Sequence, residues 1–185
     1  AHIYEDEVVA SRIIAEKIAA EINASNNVYR LGLTTGSSPV FIYKELVNLY
    51  KEGKVSFRNV EVYSIDEYYP APADSFSRNR RLYQDFVSMV DLKPENVHVP
   101  KLTEIHDSTY VSDFCASYDA KARELDFLVM GTGEKGQIGF NEAGASEQSR
   151  TRTVLLPYAS RKRQARNFAG DIAKTPNSAI AMGIS

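Results

Sequence analysis

The sequence predicts an α/β protein built on an open, doubly wound parallel sheet, a three-layer αβα arrangement. Three observations predict it. Short apolar segments of the kind buried in parallel sheets, 28–33, 60–65 and 126–130, are spaced along the chain. Between them lie segments whose apolar residues recur at helical spacing. Strands alternating with helices imply parallel strands covered on both faces. Each of the three strands also runs into a polar loop, 34–38, 66–77 and 131–144, two of them Gly-rich. In open sheets of this kind, ligands bind at the carboxyl ends of the strands.

Taken in order, residues 5–25 read as a helix. Ala10, Ile14, Ile18 and Ile22 recur every four residues with Ile13 on the flank, and Asn26-Asn27 ends it. Strand 28–33 follows. Pro39 suits the first turn of a helix over 39–52, where its missing N–H costs nothing. Ile42, Leu46, Leu49 and Tyr50 share one face of it, and Gly53 is a stop signal. Strand 60–65 runs into Asp66-Glu67-Tyr68-Tyr69-Pro70, read as the start of a loop reaching Ser77. Leu82, Phe86, Met89 and Val90 suggest a helix over 79–90, and 96–99 is a short extended piece closed by Pro100. Val111, Phe114, Cys115 and Tyr118 form a stripe on a helix over 108–124. After strand 126–130, residues 151–156 are extended, 158–168 form a basic helix, and 178–183 make a last apolar strand.

The chain of 185 residues is enough for one domain, 1–185, with a sizeable core, and no internal repeat or linker divides it. With 22 basic and 24 acidic residues the net charge is −2, which suggests neither a nucleic-acid nor an anionic-membrane surface. No apolar run reaches the roughly 18 residues of a membrane span. The lone Cys115 excludes an intrachain disulfide and reads as a small buried hydrophobe rather than a nucleophile. No signal peptide is visible, and a reducing cytoplasm is the expected compartment.

The loop Thr34–Ser38 could bind an anion. The first N–H groups of a helix lack partners, and its dipole places partial positive charge there. Gly36 lets the backbone come close, and Thr35, Ser37 and Ser38 add hydroxyl donors. An ordinary strand-to-helix turn with a Ser cap explains the loop equally well. It is neither a Walker loop nor a dinucleotide fingerprint. Asp66 and Glu67 follow a buried strand, where partial desolvation would raise a carboxylate's pKa and make it a better base; a cap or loop acid is the commoner role. Glu142 is a second acid in the third loop. No His, Cys and carboxylate spacing suggests a metal site. Arg161, Lys162, Arg163 and Arg166 read chiefly as a solvated face, though one Arg could bind phosphate oxygens bidentately.

Leu31-Gly-Leu-Thr-Thr-Gly-Ser-Ser-Pro, Ile65-Asp-Glu-Tyr, Lys93-Pro-Glu-Asn-Val-His, Gly136-x-Ile-Gly-Phe-Asn-Glu-Ala-Gly and Ser149-Arg-Thr-Arg together resemble the glucosamine-6-phosphate deaminase (isomerase) family. The likeness runs in order from about residue 28 to the end. The resemblance implies a Rossmann-like fold, no cofactor and a small sugar phosphate as substrate, with a homo-oligomer left open. It implies conversion of glucosamine 6-phosphate to fructose 6-phosphate and ammonia. Thr35, Gly36, Ser37, Ser38 and Arg166 would hold the phosphate. Asp66 matches the base that shuttles a proton between C2 and C1, and Glu142 an acid that supports ring opening. The related 6-phosphogluconolactonase branch also carries an acidic pair after its second strand, but Phe140-Asn141-Glu142 favours the deaminase branch.

Two departures stand out. The family reads Asp-Gly-His in the third loop, with His the acid/base for ring opening; this chain reads Lys135-Gly136-Gln137. Gln cannot exchange a proton near neutral pH, and Lys135 reverses the charge beside it. The family's Pro-x-Ser-Tyr is here Ser77-Arg78-Asn79. Enolisation by Asp66 could survive on an open-chain sugar while ring opening is impaired. The alternatives are a phosphosugar-binding sensor or regulatory relative and a lactonase-like hydrolase. Family members also continue past Ser185, so a C-terminally truncated version of the fold is expected.

Overall fold

The computed structural model describes residues 2–36 and 39–185. The chain divides into two compact units. The first comprises Ala1–Tyr63, Arg81–His98 and Leu125–Gly131; the second comprises Ser64–Arg80, Val99–Glu124 and Thr132–Ser185.

The first unit is an α/β layer. Helix α1 (Glu7–Ala24) starts where the Asp6 carboxylate accepts the Val8 and Val9 N–H groups at 2.8 Å, a side-chain cap on otherwise unpaired donors. It buries Ala15, Ile18, Ala19 and Ile22. Strand β1 (Tyr29–Leu33) leads into α2 (Val40–Lys51), which buries Ile42, Tyr43, Leu46 and Val47. Strands β2 (Val60–Ser64), β4 (Val97–His98) and β5 (Phe127–Leu128) complete a four-stranded sheet of order β4-β2-β1-β5. The β1–β5 and β2–β4 pairs are parallel, with Leu31 opposite Phe127 and Val62 opposite Val97. The two helices and the sheet share one apolar core with Phe57, Leu82 and Phe86. Phe86 makes an edge contact with Phe57 and a tilted one with Tyr43, at 5.2 and 5.5 Å between centroids.

The second unit holds a sheet of a different kind. Strand β3 (Asp66–Tyr69) pairs antiparallel with β7 (Ser178–Ala181), and β7 pairs antiparallel with β6 (Arg152–Leu155). The segment after Ile65 is therefore a strand before it is a loop. The extended segments at 151–156 and 178–183 belong to this antiparallel sheet. Helix α3 (Arg78–Asp85) is shorter than the 79–90 expectation, because a 3₁₀ turn over Val87–Met89 replaces its end. Helix α4 (Ser108–Ala122), capped by Asp107, packs Val111 and Cys115 with Leu102 and Ile180. Burial pushes the Cys115 thiol pKa up, with the charge of Asp119 adding to it, as expected of a small core residue. Helix α5 (Tyr158–Gln164) runs into a 3₁₀ turn over Ala165–Phe168. Phe168 joins Tyr68, Phe140, Leu156, Ala179 and Ala181 in a second core.

Candidate active site

Asp66 is the first residue of β3, opposite Ala181 on the buried β7 strand, and is itself buried. Its Oδ1 lies 2.5 Å from Arg78 Nε, and the two side chains are 1% and 13% exposed. Burial raises the Asp66 carboxyl pKa above its ordinary value, and Arg78 pulls the other way. The guanidinium also lies over the Phe140 ring, with Arg78 Cζ 4.7 Å from the centroid. Arg78 thus touches both a buried carboxylate and an aromatic ring.

Phe140 reaches this position from a tight turn in which Ile138 and Asn141 exchange backbone hydrogen bonds at 3.1 and 2.9 Å. The turn needs a glycine. Gly139 sits at φ +58°, and a Cβ there would lie 3.2 Å from Asp66 Oδ2. Asn141 anchors the turn by donating from Nδ2 to the Met182 carbonyl at 2.8 Å.

Glu67, also fully buried, does something else. Its Oε1 accepts the N–H groups of Tyr68 (2.9 Å) and Arg78 (3.1 Å). Its Oε2 accepts the Ser77 hydroxyl and the Asn79 N–H, both at 2.9 Å. Three of these donors, from Ser77, Arg78 and Asn79, lie at the start of α3, so Glu67 is a helix cap supplied by a strand residue. Of the acidic pair, one member faces the buried cation and the other pins the backbone that carries it.

Glu142 is half-buried. It accepts a hydrogen bond from the Ser160 hydroxyl on α5, Arg163 Nη2 donates to Ser160 Oγ at 2.9 Å, and the Arg163–Glu142 ion pair spans 3.8 Å. Arg161 donates to the carbonyls of Ile172 (3.0 Å) and Thr175 (3.3 Å). The basic helix is therefore not simply a solvated face: Arg161 and Arg163 make internal contacts, while Lys162 and Arg166 are exposed.

Gln137 is buried inside its own loop. Its Oε1 accepts the Lys135 N–H at 3.0 Å and its carbonyl accepts the Gly133 N–H at 2.8 Å. The side chain lies so close over Gly133 that a Cβ there would collide with Gln137 Cδ. Lys135 points to solvent. The structure thus brings Asp66 together with the 138–141 turn, gives Glu142 its own partners on α5, and leaves Gln137 as a loop clamp.

In the first unit, Thr34 and Thr35 are buried, and the Tyr43 hydroxyl donates to the Thr34 carbonyl, tying the loop to α2. Gly36 has φ +149°, and among the described residues nothing lies within 4 Å of where a Cβ would be. Pro39 is the N-cap rather than a first-turn residue. Ser37 and Ser38, the other expected phosphate ligands, lie outside the described residues.

Arg78, Ser160 and Arg163 were not among the residues expected to build the site. The Ser77-Arg78-Asn79 departure was the signal for Arg78; nothing local marked Ser160, which reaches Glu142 across 18 residues of chain.

Residues 5–166 match the family model described as glucosamine-6-phosphate isomerases/6-phosphogluconolactonase. The chain is 37% identical over 180 residues to a glucosamine-6-phosphate isomerase of Candida albicans, covering 95% of this chain and 71% of that one. It is 36% identical over 179 residues to a glucosamine-6-phosphate deaminase of Parabacteroides distasonis, covering 95% of this chain and 65% of that one. The chain therefore spans about two thirds of the length of these relatives. Among solved structures, a monomeric glucosamine-6-phosphate deaminase superposes with a TM-score of 0.87 at 29% identity, covering 98% of this chain and 74% of that one.

Proposed function

The chain belongs to the family of glucosamine-6-phosphate isomerases and 6-phosphogluconolactonases, and we propose that it converts an amino-sugar 6-phosphate to the ketose 6-phosphate and ammonia by enolisation. The observation that carries this is the environment of Asp66. A buried carboxylate, raised in pKa by that burial and placed at the start of β3, suits a base that removes a proton from carbon. Glu142, held by Ser160 and Arg163, would support opening of the sugar ring. Thr35, Gly36, Ser37, Ser38 and Arg166 would hold the phosphate, the loop residues through backbone N–H and hydroxyl donors and Arg166 through its guanidinium.

A second reading is a protein that binds the sugar phosphate with its chemistry impaired. The clamped Gln137 favours it: an amide already engaged with Lys135 N–H cannot exchange a proton with a ring oxygen.

Ammonia release from glucosamine 6-phosphate, with binding followed by calorimetry, tests both. Asp66→Asn is expected to lower turnover at least ~10³-fold while binding persists. Turnover unaffected by that change sinks the enzyme assignment. Binding without turnover in the parent protein selects the second reading.

A further inference from the structure

On the reading that Asp66 is the base of this enolisation, we propose that Arg78 is a catalytic residue of the same step: it holds the Asp66 carboxylate in the free protein and receives the negative charge that forms on the substrate's O1. Three observations converge on it. Arg78 Nε is 2.5 Å from Asp66 Oδ1. Its backbone is fixed by Glu67, which grips the N–H groups of Arg78 and Asn79 and the Ser77 hydroxyl. Its guanidinium lies over the Phe140 ring, so the cation is largely removed from water. A fixed, desolvated cation costs little reorganisation when charge appears beside it.

The chemistry asks for such a group. Asp66 removes the C2 proton of the open-chain aldehyde. The C–H electron pair becomes the C1=C2 bond, and the C1=O π pair moves onto O1. The carboxylate that takes this proton must also reach C1 to return it, so O1 forms within reach of groups that touch the carboxylate. As Asp66 becomes a neutral acid it releases the guanidinium, and the O1 anion takes its place. O1 then gains a proton from solvent and Asp66 protonates C1. Water hydrolyses the resulting C2 iminium to ketone and ammonia. The cation is paired with Asp66 before and after the proton shuttle and with O1 in the enolate between. A guanidinium stays protonated throughout, so it stabilises charge without acid/base exchange, which an imidazole would add.

Among the described residues, the groups facing Asp66 are few. Arg78 comes from α3, and Glu67 and Tyr68 are its neighbours in β3. Gly139 approaches with backbone alone and Ile65 is apolar.

The test uses the full chain with ¹³C-labelled aspartate, the Asp66 signal being assigned by its loss in Asp66→Asn. Two quantities are read: the Asp66 titration midpoint by NMR, and exchange or loss of the C2 hydrogen of glucosamine 6-phosphate in deuterium oxide, the step that puts charge on O1. Arg78→Met is expected to raise the midpoint by about 1–3 pH units and to slow exchange roughly 10²–10³-fold. Arg78→Lys is expected to restore the midpoint and part of the exchange. Arg78→Gln, uncharged but polar, repeats the measurement if the Met variant does not fold. A midpoint that does not move, or exchange at the parent rate in the uncharged variants, overturns the proposal. A midpoint that moves in a parent protein showing no Asp66-dependent exchange overturns the isomerase reading itself, and the O1 role with it.

Discussion

Ser77 donates its hydroxyl to Glu67 Oε2 at 2.9 Å, closing a ring of chain that begins in β3 and ends at the first turn of α3. A strand carboxylate thereby does what an N-cap side chain does from within its own helix. Removing it leaves three backbone donors and a hydroxyl without their acceptor. Glu67→Ala is expected to cost about 3 kcal/mol of unfolding free energy, read from urea denaturation. A cost below about 1 kcal/mol would mean that water satisfies these donors and that Glu67 is not the cap.

Ser160 donates its hydroxyl to Glu142. Ser160→Ala removes one hydrogen bond and frees the carboxylate to rotate toward Arg163. On the proposed function, kcat for glucosamine 6-phosphate is expected to fall about tenfold with KM nearly unchanged. An equal loss in a Glu142→Gln background would show that Ser160 does not work through Glu142.

At position 137 the side chain and the chemistry compete. Gln137→His introduces a group that titrates near neutrality but removes the acceptor of the Lys135 N–H. Steady-state ammonia release is expected to rise by about tenfold or more, within the range that general acid–base help supplies. No gain would show that the missing imidazole is not the limiting defect.

Tyr63 gives the fold a signature in alkali. Its hydroxyl donates to Glu61 Oε2 at 2.9 Å, and burial, then that hydrogen bond and the Glu61 charge, push its pKa from 10.0 up to about 12. The fold favours the neutral phenol. Its contribution is therefore whole below pH 10.0 and lost as pH rises toward about 12. Tyr29, bonded to Glu21 at 2.7 Å, is shifted in the same direction. Urea midpoints measured at about pH 9 and about pH 11.5 are expected to drop, and Tyr63→Phe should shrink the drop. Equal drops in both proteins would refute the assignment.

The helices and parallel strands were legible in the sequence wherever burial followed a simple period. Ile18 and Ile22 in α1, Ile42 and Leu46 in α2, and Val111, Cys115 and Tyr118 in α4 all face inward as their spacing required. Strand β3 was not legible, because Asp66-Glu67 looks like loop chemistry while both carboxylates are buried by partners elsewhere. Asp66 needs Arg78 and Glu67 needs Asn79, twelve residues on in each case, and no local pattern encodes that return. Asp66 and Glu142 could be picked out from the sequence. What holds each of them could not, since Arg78 and Ser160 reach them only through tertiary structure.

Glu67 also makes β3 and the start of α3 one opening unit. Its carboxylate accepts the Tyr68, Arg78 and Asn79 amides together, so none of the three can exchange with solvent by fraying of the helix alone. Their protons should leave in a single event, at the rate at which the strand itself lifts from β7. Any loosening of the loop between them that left the strand in place would keep Asp66 buried, with Arg78 still on it.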